Sequence, residues 1–136
     1  MDTLQCAIVL AKLERFALEL EKRIEVGQRY NALTDEIGIE RVQQRSDRTS
    51  VFGQYTIFVD KREELQERLK EAGIPTVVHY PIPLNAQPVY KHLCCPDCTP
   101  LAAQVAKRVL SLPMYSDLPH LEQIKIVSMD FLYHKL

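Results

Sequence analysis

No apolar run in the chain approaches the roughly 18 residues that a membrane-spanning helix needs, and no block of like charge breaks its even mixture. Lys and Arg number 17 against 18 Asp and Glu, a formal net charge of −1, so electrostatics give no reason to expect nucleic acid or an anionic membrane as a partner. The first residues lack the basic stretch and apolar core of an export signal, and a cytoplasmic location is the expectation. Glycine is scarce. Its four copies, at 27, 38, 53 and 73, stand alone, which excludes a glycine-rich loop cradling phosphate. There is no Ser, His and Asp set at a recognisable nucleophile turn. No proline precedes Pro75, so the first half of the chain can hold a long helix without a covalent breaker.

What is present suits one modest domain: 136 residues, 46% of them hydrophobic, are enough for a small core. Cys6, Leu10, Leu13, Ala17, Leu20 and Ile24 alternate steps of four and three and lay an apolar stripe along a helix from about Thr3 to Tyr30, with a weak point at Gly27. Leu4, Ile8 and Ala11 add a second apolar row to its first half. After Glu14 the opposite side carries Glu19, Lys22, Arg23 and Glu25. The start of this helix is therefore expected to be covered on two sides, which is unusual at the end of a free-standing small domain.

Gly38 to Ser50 is polar and aperiodic and reads as a loop. Val51, Gly53, Tyr55, Ile57 and Val59 share one face of a period-two pattern, which predicts a strand. Asp60 and Glu63 resemble a capping box opening a helix that turns Leu65, Leu69 and Ala72 inward and closes at Gly73. Thr76 to His79 reads as a second strand. Pro81 to Pro100 holds five of the eight prolines and can be neither a continuous helix nor a central strand. Thr99 and Pro100 open a helix with Leu101, Val105 and Val109 at i+4 spacing, ended by Pro113. A last helix from about Leu121 turns Leu121, Ile124, Val127 and Phe131 to the core, with Asp117 and His120 as capping residues. The order predicts an α+β fold: a long N-terminal helix and a small, mostly antiparallel sheet with helices packed on it.

Three stretches carry a family resemblance. They are Met1-Asp2-Thr3-Leu4-Gln5-Cys6-Ala7 with Ala11-Lys12-Leu13; Gly73-Ile74-Pro75-Thr76 through Val77-Val78-His79-Tyr80-Pro81-Ile82-Pro83-Leu84 with Gln87-Pro88; and Val109-Leu110-Ser111-Leu112-Pro113-Met114. Together, over nearly the whole chain, they resemble the C-terminal part of the DegT-type aminotransferases, enzymes dependent on pyridoxal phosphate that transfer an amino group onto nucleotide-linked keto sugars for surface polysaccharide or O-antigen synthesis. The resemblance implies the small domain of a fold-type-I aminotransferase, a dimer in the full-length family, with the cofactor-binding large domain preceding these stretches and not among them. That large domain would cover the doubly apolar start of the first helix. Without it, self-association through the helix is expected. Pro119 departs from the family, which tends to place a serine or threonine there.

The same resemblance implies that His79 and Tyr80 face the sugar nucleotide, His79 offering a ring nitrogen to a hydroxyl or carboxylate and Tyr80 a phenol and an apolar face. Composition alone favours a hydrogen-bonded core histidine beside a packing tyrosine; the motif reverses that balance. Asn85 and Gln87 either contact substrate or close the loop. The cofactor chemistry needs a lysine to hold pyridoxal phosphate as an imine, and none of the eight lysines, at 12, 22, 61, 70, 91, 107, 125 and 135, stands in the family's lysine motif. No residue of this chain is therefore assigned to catalysis or to the cofactor. Cys95-Pro96-Asp97-Cys98 has zinc-like spacing, and His92 and Cys94 lie close in sequence. A structural zinc site usually draws on two separated pairs, so a loop bearing reduced thiols is the preferred reading, with Cys6 a small core residue. The competing functional class is a stand-alone binding or interaction module that keeps the fold without catalysis.

Overall fold

The computed structural model describes the backbone of residues 2–134 and the side chains of that span other than Pro96 and 130–134. The N-terminal helical region is two helices, α1 (Thr3–Leu13) and α2 (Phe16–Ile37), separated by a turn at Glu14 and Arg15. Asp2 caps α1 with a capping box: its carboxylate accepts from the Gln5 amide at 2.8 Å, and the Gln5 side chain reaches back to the Asp2 amide. The expected single helix to Tyr30 is thus broken at 14–15, where neither glycine nor proline stands, and it runs on past Tyr30 to Ile37. Gly27 does not weaken it. A Cβ at Gly27 would lie 2.3 Å from Cδ2 of Phe52, so glycine is what lets that ring close on the helix. Gly38 ends α2 with φ of 76°, the left-handed conformation that favours glycine.

The sheet is two antiparallel strands, β1 (Tyr55–Phe58) and β2 (Val109–Leu112), with Thr56 opposite Ser111 and Ile57 opposite Leu110. Here the sequence reading is corrected. Val109 to Leu112, expected as helix, leaves α4 (Pro100–Arg108) and becomes the buried strand β2, because all four residues are enclosed while the one before Pro113 is biased towards extended backbone. Thr76 to His79 contributes only a bridge, Val77 to Ser111, and a second bridge joins Arg41 to Ile57. The expected strand from Val51 shortens to four residues, since Phe52 takes a φ of 47° and turns the chain.

The helix α3 (Arg62–Glu71) follows β1, with Lys61 as its cap position and no side-chain cap bond, in place of the expected Asp60 box. Asp60 instead accepts from Arg108 at 2.7 Å. The last helix, α5 (His120–His134), packs on α2 and α3. Leu121 and Ile124 face outward, contrary to expectation, and Gln123, Ile126 and Val127 face in; the Phe131 side chain lies outside the described residues. Asp117 is no cap: it accepts from Lys22 at 2.6 Å, while the Gln123 amide donates to Pro119 O at 3.1 Å, making Pro119 the cap position of α5.

One core joins these elements: Val26 and Tyr30 from α2, Ile57 from β1, Leu65 and Leu69 from α3, Leu110 from β2, and Ile126 and Val127 from α5. Its polar members are satisfied. Gln123, fully buried, donates to Val26 O at 2.9 Å and accepts from Arg29 Nε at 2.7 Å. Arg23, expected on a solvated face, donates to the carbonyls of Phe52, Gly53 and Met114 and so ties α2 to two loops. By contrast α1 buries nothing: Leu4 is 71% exposed, Leu10 65% and Leu13 55%. Among the described residues no helix is long and apolar enough to cross a membrane.

Candidate functional site

Gly73, with φ of 75°, ends α3, and the Ile74 amide donates to Leu69 O at 2.8 Å, which turns the chain back under the helix. Val77 then exchanges both backbone bonds with Ser111, at 3.2 and 2.8 Å. This anchor delivers His79 to the side of β2. There Nδ1 of His79 lies 3.1 Å from Oγ of Ser111, and the Tyr80 ring stands edge-on to the imidazole with centroids 5.6 Å apart. His79 is half-buried, whereas Tyr80 is 68% exposed, so the arrangement is not that of a core histidine beside a tyrosine packed under the sheet.

Beyond Tyr80 the prolines set the path. Pro81 and Pro83 hold the residues before them extended, a 3-10 turn spans Leu84–Ala86, and amides of Ala86, Gln87, Tyr90 and Leu93 close successive turns. The Asn85 amide donates to Cys95 O at 3.2 Å, pinning the first turn to the cysteine segment. Thr99 and Pro100 open α4 as expected, though the Thr99 side chain makes no capping bond.

These turns and α4 enclose one mainly apolar groove of about 790 Å³. The sequence reading nominated His79, Tyr80, Asn85 and Gln87, and all four line it. Ile82, Pro83, Leu84 and Tyr90 form its near wall, and Ala102, Val105 and Ala106 of α4, with Val109, form the far one. Such a site offers a ring face and a few polar groups set in an apolar cleft, a common make-up for binding a small organic ligand. Sequence reasoning missed two contributions. The α4 wall was given no part in the site, and Ser111, the partner of His79, was placed within a helix. The signal that could have found the latter is the enclosed run Val109-Leu110-Ser111-Leu112 directly before proline.

Cys94 also lines the groove as a free thiol, while Cys95 and Cys98 are joined as a disulfide, where reduced thiols were expected. Cys6 is only half-buried and lies on a helix with no buried residue, so it is not the core residue expected. Among the described residues no group of three His, Cys, Asp or Glu side chains is placed to hold a metal ion.

The residues present do not fit the role of holding pyridoxal phosphate. No lysine lines the groove. Lys22 is paired with Asp117, Lys61 with Glu64 and Lys70 with Glu67, while Lys12, Lys91, Lys107 and Lys125 are exposed on the outer surface; Lys135 lies outside the described residues. No step through that cofactor is drawn from this chain.

The chain is similar in sequence and fold to known aminotransferases. A UDP-2-acetamido-2-deoxy-3-oxo-D-glucuronate aminotransferase of Pseudomonas aeruginosa is 42% identical over 93% of this chain, which spans 34% of that protein. A dTDP-3-amino-3,4,6-trideoxy-alpha-D-glucose transaminase of Streptomyces venezuelae is 30% identical over 90% of the chain and 32% of its own length. Among solved structures, a DegT DnrJ EryC1 StrS aminotransferase from Brucella abortus superposes with a TM-score of 0.91 at 32% identity, over 100% of this chain and 36% of that one. A sugar aminotransferase of Streptococcus pneumoniae, Spr1654, solved in a PLP form, gives 0.79 at 25% identity, over 93% of this chain and 34% of its own. The chain thus spans about a third of the length of the relatives it matches. With residues 1–129 matching its family model, the chain belongs to the DegT/DnrJ/EryC1/StrS aminotransferase family.

Proposed function

We propose that this chain is the C-terminal, substrate-closing part of a cytoplasmic transaminase dependent on pyridoxal phosphate, acting on nucleotide-linked keto sugars destined for surface polysaccharide, and that its groove receives the sugar nucleotide. The observation that carries this reading is the convergence of His79, Tyr80, Asn85 and Gln87 on one cleft. Side chains that hydrogen-bond hydroxyls and a ring that packs on a sugar face fit such a ligand, and α4 adds an apolar wall. The role is one of positioning: the groove holds the keto carbon for chemistry supplied from elsewhere. On its own the chain is expected neither to retain pyridoxal phosphate covalently nor to transaminate. Borohydride reduction with added cofactor, followed by mass spectrometry, tests this, and an adduct on one specific lysine would refute it. In a full-length relative carrying the same segment, His79→Ala should weaken sugar-nucleotide binding or turnover and leave cofactor absorption intact. Tyr80→Phe should cost only about 0.5–1.5 kcal/mol, the worth of one hydroxyl hydrogen bond.

The exposed aliphatics of α1 favour a second role in isolation, that of an interaction module. Leu4 and Ile8 are 71% and 51% exposed. With Ala11 they would remove on the order of 300 Å² from water, roughly 7 kcal/mol before association costs, which favours self-association through this helix. Leu4→Ser with Ile8→Ser should then give a monomer, and a parent protein that sediments as monomer at high concentration would count against α1 as the contact.

A further inference from the structure

We infer that Arg62 is a positioning residue for the groove: its guanidinium anchors the C-terminal end of α4 and so holds the far wall of the cleft in place. The ligand-binding consequence rests on the proposed reading of the groove; the anchoring of α4 does not.

α4 has little core of its own to seat it. Among the described residues Ala106 is its one buried residue, and Leu101 is 71% exposed. Bonds at its C-terminal end carry more of that task. A helix leaves its last four carbonyls without partners inside the helix, and here they belong to Val105, Ala106, Lys107 and Arg108. Val105 O accepts from the Val109 amide, and Arg108 O accepts from the Val59 amide at 2.9 Å, which joins α4 to the residue just beyond β1. Ala106 O accepts from Nη1 of Arg62 at 2.6 Å. That bond sets a cation on the negative end of the α4 dipole and is of the stronger, charge-assisted kind.

Arg62 is poorly placed for its own helix. It is the first residue of α3, where the dipole favours anions and disfavours a cation; Glu63 and Glu64 in the same turn follow that preference. Its side chain is nonetheless only 12% exposed, which is uncommon for arginine. The second branch of the guanidinium donates to Glu63 at 2.7 Å and orients the fork, while the first branch reaches α4. The bond closes a separation of 44 residues and thereby fixes where α4 lies relative to α3. Ala106 itself lines the cleft, and Ala102, one turn earlier, continues the same wall. A shift of α4 at this anchor therefore changes the width of the groove. Arg108 adds a second tie, to Asp60 at 2.7 Å and Glu40 at 2.8 Å, but these partners are 81% and 61% exposed and water screens them.

Amide hydrogen exchange, resolved residue by residue, reads α4 directly in this chain. Arg62→Met keeps much of the side chain's length and removes its donors. Exchange should become about tenfold to a hundredfold faster at the α4 amides from Gln104 to Val109, with amides of α2 and α5 moved less. Arg62→Lys, which keeps the charge without the fork, should give a smaller rise at the same amides and serves should Arg62→Met fold poorly; Arg108→Met should also do less. An α4 unprotected in the parent chain, an α4 unmoved by both Arg62 variants, or a rise shared equally by α2, α4 and α5 overturns the inference. In a full-length relative with arginine in this place, Arg62→Met should raise the KM for sugar nucleotide about threefold to tenfold with kcat and the cofactor spectrum little changed. Ile126→Ala, a core truncation in α5, should leave KM alone, which separates a displaced wall from general loss of stability. An α4 that loosens while KM stays fixed leaves the anchor standing and refutes the groove as the sugar site.

Discussion

α1 carries five large aliphatic residues among eleven and buries none of them, whereas α2, with a more polar sequence, encloses Val26, Gly27, Tyr30 and Thr34. The difference lies in what stands opposite. α2 faces β1, β2 and α5, and Tyr30 is stacked on Tyr55 with ring centroids 4.6 Å apart while its hydroxyl donates to Pro113 O at 3.0 Å. Among the described residues α1 packs chiefly on α2. Apolar spacing thus marks which side of a helix seeks cover, and only the rest of the protein decides whether cover is found. The groove repeats the lesson on a smaller scale, since Leu84 on its wall is 69% exposed beside a core that is closed.

The sharpest way to break this comparison is to truncate one leucine on each side of it. Leu65, fully buried, should cost about 2–5 kcal/mol when changed to Ala, through lost transfer energy and the cavity left behind. Leu10→Ala in α1 should stay within about 0.5 kcal/mol in dilute protein, as exposed positions do. Urea unfolding followed by circular dichroism measures both. Equal losses would mean that α1 is packed in solution.

Raising the pH tests the tyrosine side of the core. Burial pushes the Tyr55 phenol up to about 12 from an ordinary 10, with the Thr34 hydrogen bond pulling the other way, and burial raises Tyr30 as well. The unfolded chain therefore releases these protons at lower pH than the folded one. Because the folded state then binds more protons, stability is unaffected below pH 10 and declines as pH climbs from there through about 12. Denaturation midpoints taken across that window should fall, and the slope should flatten in a Tyr30→Phe, Tyr55→Phe double variant. A level profile would show that the phenols are not enclosed.

Gly27 sharpens the boundary between the two regions, since it is where α2 closes on the Phe52 ring. A Cβ there meets Phe52 at 2.3 Å, and Gly27→Ala should destabilise by about 1–3 kcal/mol through overpacking, despite alanine's better helix propensity. Phe52→Leu in the same chain should recover part of the loss. Calorimetric melting of the single and double variants measures the coupling, and simple additivity would mean that the ring is free to move aside.

Much of this was legible in the sequence. Period-two alternation located β1, Gly73 marked the end of α3, and the resemblance nominated four residues that turn out to share a groove. Three features were not. A four-residue enclosed strand such as Val109–Leu112 carries no alternation, so its spacing continued the helix before it. The inward side of α5 was misjudged because Gln123, a polar residue, is buried by partners contributed from α2, which no local pattern reveals. The role of Ser111 depends on a contact with His79 across 32 residues of chain.

The smallest expected effect belongs to Lys22 and Asp117, which join α2 to the turn before α5 at 2.6 Å. The lysine hydrogen bond and charge hold the Asp117 carboxyl below its ordinary range, so whatever the pair adds is present above the unfolded value and is lost as pH falls through the folded one. Both side chains are wet, 37% and 66% exposed, and water and salt screen such pairs while two mobile side chains lose freedom in forming them. Lys22→Met should accordingly leave the melting temperature at neutral pH almost unchanged, and the variant and parent should converge fully as salt is added. Arg23, one residue on, provides the contrast: its guanidinium serves three carbonyls in two loops, and Arg23→Met should lower the melting temperature clearly and independently of salt. If Lys22→Met proved the more damaging of the two, the turn at Asp117 would be held by charge and not by the packing of Leu118 beneath it.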